Sequence, residues 1–85
     1  MKVILNCEKL LQREQAHEYL AKMLDFPEYY GKNLDALFDC LTELSDRTIV
    51  LLGAGSLPND SYGARVRTVM EKAAQLNLGL KLEVL

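Results

Sequence analysis

The chain has little of what marks a secreted scaffold, a membrane protein or a nucleic-acid binder. Two cysteines, Cys7 and Cys40, are too few for a disulfide framework. The apolar run Val3-Ile4-Leu5 is too short for the core of a secretory signal, so a reducing, cytoplasmic setting is expected. No stretch approaches the roughly 18 apolar residues that crossing a bilayer requires, which sets a membrane role aside. Positive charge is not in excess either. Ten Lys and Arg stand against twelve Asp and Glu, a net charge of −2. That balance is the reverse of a surface built to coat nucleic acid, and it points to a cationic partner. There is no internal repeat and no low-complexity tract. Eighty-five residues suffice for one core and not for two, so a single domain over residues 1–85 is expected.

Against these absences, 49% of the residues are hydrophobic, enough for a folded core. Residues Lys2 to Asn6 are β-branched and apolar enough for a short strand. From Glu14 to Leu24 the residues Ala16, Leu20, Met23 and Leu24 recur at three- and four-residue steps, with charges between them, which predicts an amphipathic helix. The segment Asp25 to Lys32 breaks that period: Pro27 restricts Phe26, Gly31 permits a turn, and Asn33 is a candidate N-cap. A second helix is predicted from Leu34 to Leu44. Thr48 to Leu52 reads as a strand, Gly53 to Asp60 as a loop, and a third helix carries Val66, Val69, Met70 and Ala73 on one face before Asn77 and Gly79 stop it. Leu80 to Val84 alternates as a strand with one wet face. Helices between strands imply right-handed parallel crossovers, and successive steps in one direction put every helix on one side. The predicted fold is therefore α/β and two-layered: a three-stranded parallel sheet in the order 1-2-3 with helices packed on one face.

Folding alone does not account for the distribution of acids. Between Asp25 and Asp46 lie six of them, Asp25, Glu28, Asp35, Asp39, Glu43 and Asp46, and one base, Lys32. At 100° per residue Leu34, Leu37, Cys40, Leu41 and Leu44 share one arc of the second helix, and Asp35, Asp39 and Glu43 run along the opposite line at successive i,i+4 steps. Like charges so placed destabilise a helix by about 0.2–0.5 kcal/mol per pair. Acidic runs of this kind commonly mark a solvated face. Here aromatics stand beside them: Tyr29 and Tyr30 in the turn, and Phe38 at the flank of the apolar arc. Apolar anchor area next to carboxylate is what a protein-binding face offers a basic partner. Phe38 also fits the edge of a core, and Tyr30 is expected to pack against the first helix rather than to make contacts.

The run Pro27-Glu28-Tyr29-Tyr30-Gly31-Lys32-Asn33-Leu34-Asp35-Ala36-Leu37-Phe38-Asp39-Cys40-Leu41-Thr42 resembles the signature of the barstar family, intracellular inhibitors of extracellular ribonucleases. Chain length and element order are similar to that family throughout. The resemblance implies a barstar-like fold, no catalytic activity of its own and no cofactor or metal. It also implies a barnase-like ribonuclease as partner and a free state that is monomeric. It places Asp39 in the phosphate site of the nuclease, Asp35 against a basic residue at the cleft mouth and Tyr29 on a catalytic histidine, with Gly31, Asn33, Leu34, Phe38 and Thr42 lining the contact. The chain departs from the family where Phe38 and Leu44 replace tryptophans, and Lys32 replaces an acid. At a family acid on the last helix, either Glu71 or Lys72 falls in place. The alternative expectation keeps the fold and makes it an immunity or adaptor module for another cationic protein or toxin.

Other constellations are weaker. His17 is the one histidine and falls at the rim of the first helix's apolar face, a packing or surface position rather than that of a general base. Cys40, on the predicted buried arc with no base around it, reads as a structural thiol. A hard-cation site from Glu28, Asp35 and Asp39 would lack the phosphates that Mg²⁺ usually accompanies. Gly53-Ala54-Gly55 imitates a dinucleotide fingerprint and fails at Pro58.

Overall fold

The computed structural model describes residues 1–85. Strand β1 (Lys2–Asn6), helix α1 (Arg13–Met23), helix α2 (Leu34–Glu43), strand β2 (Arg47–Leu52), helix α3 (Tyr62–Leu76) and strand β3 (Leu80–Val84) follow in the expected order. The strands form one parallel sheet, β1-β2-β3. Two single 3₁₀ turns, Cys7–Leu10 and Ala54–Ser56, were not expected, because pieces of three or four residues carry no hydrophobic period. The first is held by Asn6, whose Oδ1 accepts from the Glu8 backbone N–H at 3.0 Å.

Register decides which side chains share a face. Val3 lies opposite Ile49 and Ile49 opposite Leu82; one residue on, Ile4, Val50 and Glu83 are aligned. Val3, Leu5, Ile49, Leu51 and Leu80 join Ala16 and Leu20 of α1, Leu37 and Leu41 of α2, and Val66, Met70 and Ala73 of α3 in one buried cluster. The other sheet face carries Ile4 and Leu52, both largely exposed, so the helices cover one side. Val50 also points to that outer face, yet it is buried. Strands flank it on both sides, and an ion pair from Lys2 to Glu83, 3.5 Å, spans β2 beside it. In β3 Leu80 is buried while Lys81 and Glu83 are exposed, as the alternation predicts.

The buried face of α1 is rotated from its predicted position. His17 is completely buried, and Met23, expected in the core, is 38% exposed. Burying an imidazole costs free energy unless both nitrogens find partners. Here they do: Nδ1 meets the Tyr30 hydroxyl at 2.6 Å and Nε2 meets the Tyr62 hydroxyl at 2.5 Å. A neutral imidazole has one donor and one acceptor nitrogen, so one tyrosine accepts from the ring and the other donates to it. Burial, with the nearby Arg13 second, holds the His17 pKa below its ordinary value and keeps the ring uncharged. The helix therefore turns toward its histidine, and Met23, in the last turn, is left at the rim.

Candidate functional site

The acids and tyrosines of the central segment sit on a turn and a helix that are fixed from beneath. Asn33 caps α2 as expected: its backbone is extended and its Oδ1 accepts from the Ala36 N–H at 2.7 Å. At the other end the Asn77 amide donates to the carbonyls of Leu41, 2.9 Å, and Leu44, 2.7 Å, and its Oδ1 accepts from Gly79 N–H at 3.0 Å. Two carbonyls at the end of α2 thus find donors on the segment that follows α3. Leu37 and Leu41, both fully buried, anchor the inner face.

The turn from Asp25 to Asn33 is stapled to α1. Phe26 N–H donates to Ala21 O, and Tyr30 N–H donates to Pro27 O. The Phe26 and Tyr30 rings stack at a tilt, 4.8 Å between centroids, and the Tyr30 hydroxyl reaches His17. Tyr30 is buried against α1, as expected, and burial pushes its phenol well above the ordinary range. Gly31 lies within this turn. Its φ is not left-handed; the left-handed residues of the turn are Asp25, at φ +56°, and Lys32, at φ +54°. What Gly31 supplies is space, since a Cβ there would stand 3.3 Å from the Cβ of Ala36.

Between this turn and α2 lies an open groove of about 850 Å³. On its helix side are Ala36, Asp39, Cys40, Glu43 and Leu44, and the turn contributes Asp25 to Gly31. Four carboxylates line it, Asp25, Glu28, Asp39 and Glu43, and no Lys or Arg does. Of the residues expected in the contact, Tyr29, Gly31 and Asp39 are at the groove. Asn33, Leu34, Asp35, Phe38 and Thr42 do not line it. Asp35, Phe38 and Thr42 form the neighbouring stripe of α2 at i, i+3 and i+7, and Asp39 stands between the two stripes. Tyr29 is 88% exposed, and Asn33, Asp35 and Asp39 are exposed, whereas Leu34, Phe38 and Thr42 are half-buried. Phe38 packs partly against the core. Thr42 Oγ1 is occupied by a bond to the Asp39 carbonyl, 2.8 Å.

Cys40, expected on the buried arc, is half-buried: it packs against the core on one side and lines the groove on the other. Burial raises its thiol pKa, and the carboxylates of Glu43 and Asp39 raise it further. An inert thiol is the consequence. Sequence reasoning did not group Ala36, Cys40 and Leu44 with the contact, although Ala36, Cys40 and Glu43 repeat at i, i+4 and i+7 on the helix side nearest the turn. The signal was there; the identity of the facing wall was not.

None of the six acids between Asp25 and Asp46 is paired with a cation of the molecule. The two ion pairs are Lys2 with Glu83 and Arg67 with Glu71, the latter 3.8 Å apart on α3. Nor do three acids converge on a point that could hold a metal ion. The arrangement is a rigid, unneutralised row of carboxylates beside an exposed tyrosine. Such a surface can accept charge-assisted hydrogen bonds from cationic groups arranged around an anion site. No helix is long and apolar enough to cross a membrane.

The chain is 45% identical over 83 residues to "Putative ribonuclease inhibitor YrdF" of Bacillus subtilis (strain 168), covering 96% of this chain and 91% of that protein. The family model described as Barstar (barnase inhibitor) matches residues 1–84. With nearly its whole length matched, and with the parallel three-stranded sheet and acidic second helix in place, the chain belongs to the barstar family.

Proposed function

We propose that the protein is a cytoplasmic inhibitor of a secreted, barnase-like ribonuclease, binding one-to-one and plugging the active site with α2 and the preceding turn. The unneutralised carboxylates of that face carry the reading. A nuclease must hold phosphate, so its cleft is lined with Arg, Lys and His, and a carboxylate on a stiff helix can take the place of the phosphate. Asp39, exposed between the two stripes of α2, fills that role. Asp35, one turn nearer the N-terminus, pairs with a basic residue at the cleft mouth, and Tyr29 packs on a catalytic histidine. Gly31, Asn33, Leu34, Phe38 and Thr42 line the contact around them.

The protein itself performs no chemistry in this reading, which needs no cofactor or metal. It is monomeric when free and binds neither nucleic acid nor membrane. Oppositely charged surfaces also speed the encounter, as they do for the barnase–barstar pair. An inhibitor that protects its own cell against a nuclease made there, as an immunity or antitoxin protein does, gains from that speed.

Residual RNA cleavage by a panel of secreted bacterial ribonucleases, measured with and without the purified protein, tests the proposal. One-to-one inhibition is expected, and Asp39→Ala should weaken it by about two to three orders of magnitude, because it leaves the partner's buried cations unpaired. Absence of inhibition by the wild type across the panel, or unchanged inhibition by Asp39→Ala, overturns it. Recovery of a different cationic protein in a pull-down from the native cell would favour the adaptor alternative.

A further inference from the structure

Lys32 is the one base in the acidic segment, and it occupies a backbone position that suits lysine poorly. At φ +54° a side chain meets its own carbonyl, and glycine or asparagine is the ordinary choice. The glycine next to it, Gly31, is not used for that conformation. Asp25 and Asp46 are left-handed too, but aspartate tolerates that region, whereas lysine has no short polar side chain to ease it; Lys32 is the one held there against its own preference, which points to a use for its side chain.

Lys32 is exposed and makes no ion pair, although Asp35 is three residues away and Glu28 four. Its base is fixed nonetheless. On one side Gly31 abuts Ala36; on the other, Asn33 caps α2 and donates from Nδ2 to Gly31 O at 3.4 Å. A lysine rooted between two tied residues keeps a constant direction at its Cα–Cβ bond, in the midst of Tyr29, Gly31, Asn33 and Asp35.

We propose that Lys32 is a specificity-determining residue of the contact face and pairs with a carboxylate at the rim of the partner's cleft. This inference rests on the ribonuclease-inhibitor reading. A cation enclosed by the contact without an acceptor would weaken binding, and opposite a purely basic rim it would repel. The partner therefore carries an Asp or Glu beside its phosphate-binding cations. Nucleases with an all-basic rim are rejected by the same residue that selects the right one.

The test uses the ribonuclease that the wild-type protein inhibits. Lys32→Gly and Lys32→Asn both suit the left-handed backbone, so their melting temperatures should equal or exceed that of the wild type, and folding is not the variable. Both should weaken inhibition by about 10- to 100-fold, the range for losing a hydrogen bond to a charged group. Lys32→Glu should weaken it further, and reversing the matching acid on the nuclease to lysine should restore it. Inhibition by Lys32→Gly and Lys32→Glu at wild-type strength or better overturns the role of Lys32 while leaving the inhibitor reading intact. A wild type that inhibits no ribonuclease overturns both.

Discussion

Replacing Asp39 with asparagine should make the free protein more stable while it disables the proposed contact. Asp39 lies midway between Asp35 and Glu43 on α2, each four residues away, or about 6 Å along the helix axis at 1.5 Å per residue. All three carboxylates are exposed and none has a cationic partner. Each i,i+4 repulsion costs about 0.2–0.5 kcal/mol, so removing the middle charge relieves two, or about 0.4–1 kcal/mol. Asparagine and aspartate have similar helix propensities, and the side chain of Asp39 makes no hydrogen bond that asparagine would lose. For a chain of this size the gain corresponds to a rise in melting temperature of roughly 2–8 °C. Thermal melts of wild type and variant at about 0.01 M salt would read it. Repeating them at about 1 M salt, where the screening length falls from roughly 30 Å to roughly 3 Å, should remove most of the difference. A variant that melts below the wild type, or whose gain is untouched by salt, would refute the idea that the acidic row is a burden carried for the sake of a partner.

The buried histidine links stability to pH. Because the folded state holds the His17 pKa below the ordinary value near 6.5, the unfolded chain binds a proton that the native state resists. Stability should therefore be fully present above pH 6.5 and decline as pH falls below it, by up to about 1.4 kcal/mol per pH unit, until the folded state also protonates. Urea unfolding between pH 7.5 and 5 would show this slope in the wild type and its loss in His17→Asn. Asn77→Ala removes two bonds to the end of α2 and one to Gly79, so a loss of about 2–3 kcal/mol is expected in the same assay, with weaker inhibition as the helix end loosens. Wild-type stability in that variant would show that the end of α2 does not depend on α3. Gly63→Ala would set a Cβ 2.7 Å from Leu57 Cδ2 and 3.3 Å from the Leu10 carbonyl, at a cost of about 1–2 kcal/mol; an unchanged unfolding midpoint would mean that Leu57 yields freely.

Most of the fold was legible because the relevant signals are local. Alternating and continuous apolar runs fix strand positions, the Asn33 side chain starts α2 wherever the chain goes next, and the handedness of crossovers then leaves one arrangement of sheet and helices. Along α2, helical spacing alone was enough to align Asp35, Asp39 and Glu43 and to find no Lys or Arg among its own residues. The sequence by itself thus determined the topology and the presence of an acidic helical face.

Tertiary structure decided what lies opposite that face and what supports it. His17 enters the core only because Tyr30 and Tyr62, 13 and 45 residues away, bring hydroxyls to its two nitrogens. No periodicity in α1 contains that information. Cys40 borders the groove as well as the core because the Asp25–Gly31 turn folds over that side of α2 and leaves a gap there. In the same turn Lys32, not its glycine neighbour, is left-handed, and Gly31 serves instead by leaving room beside Ala36. Local chemistry sets what a segment becomes; which surfaces meet depends on partners distant in the chain, whose positions exist only once the whole core has closed.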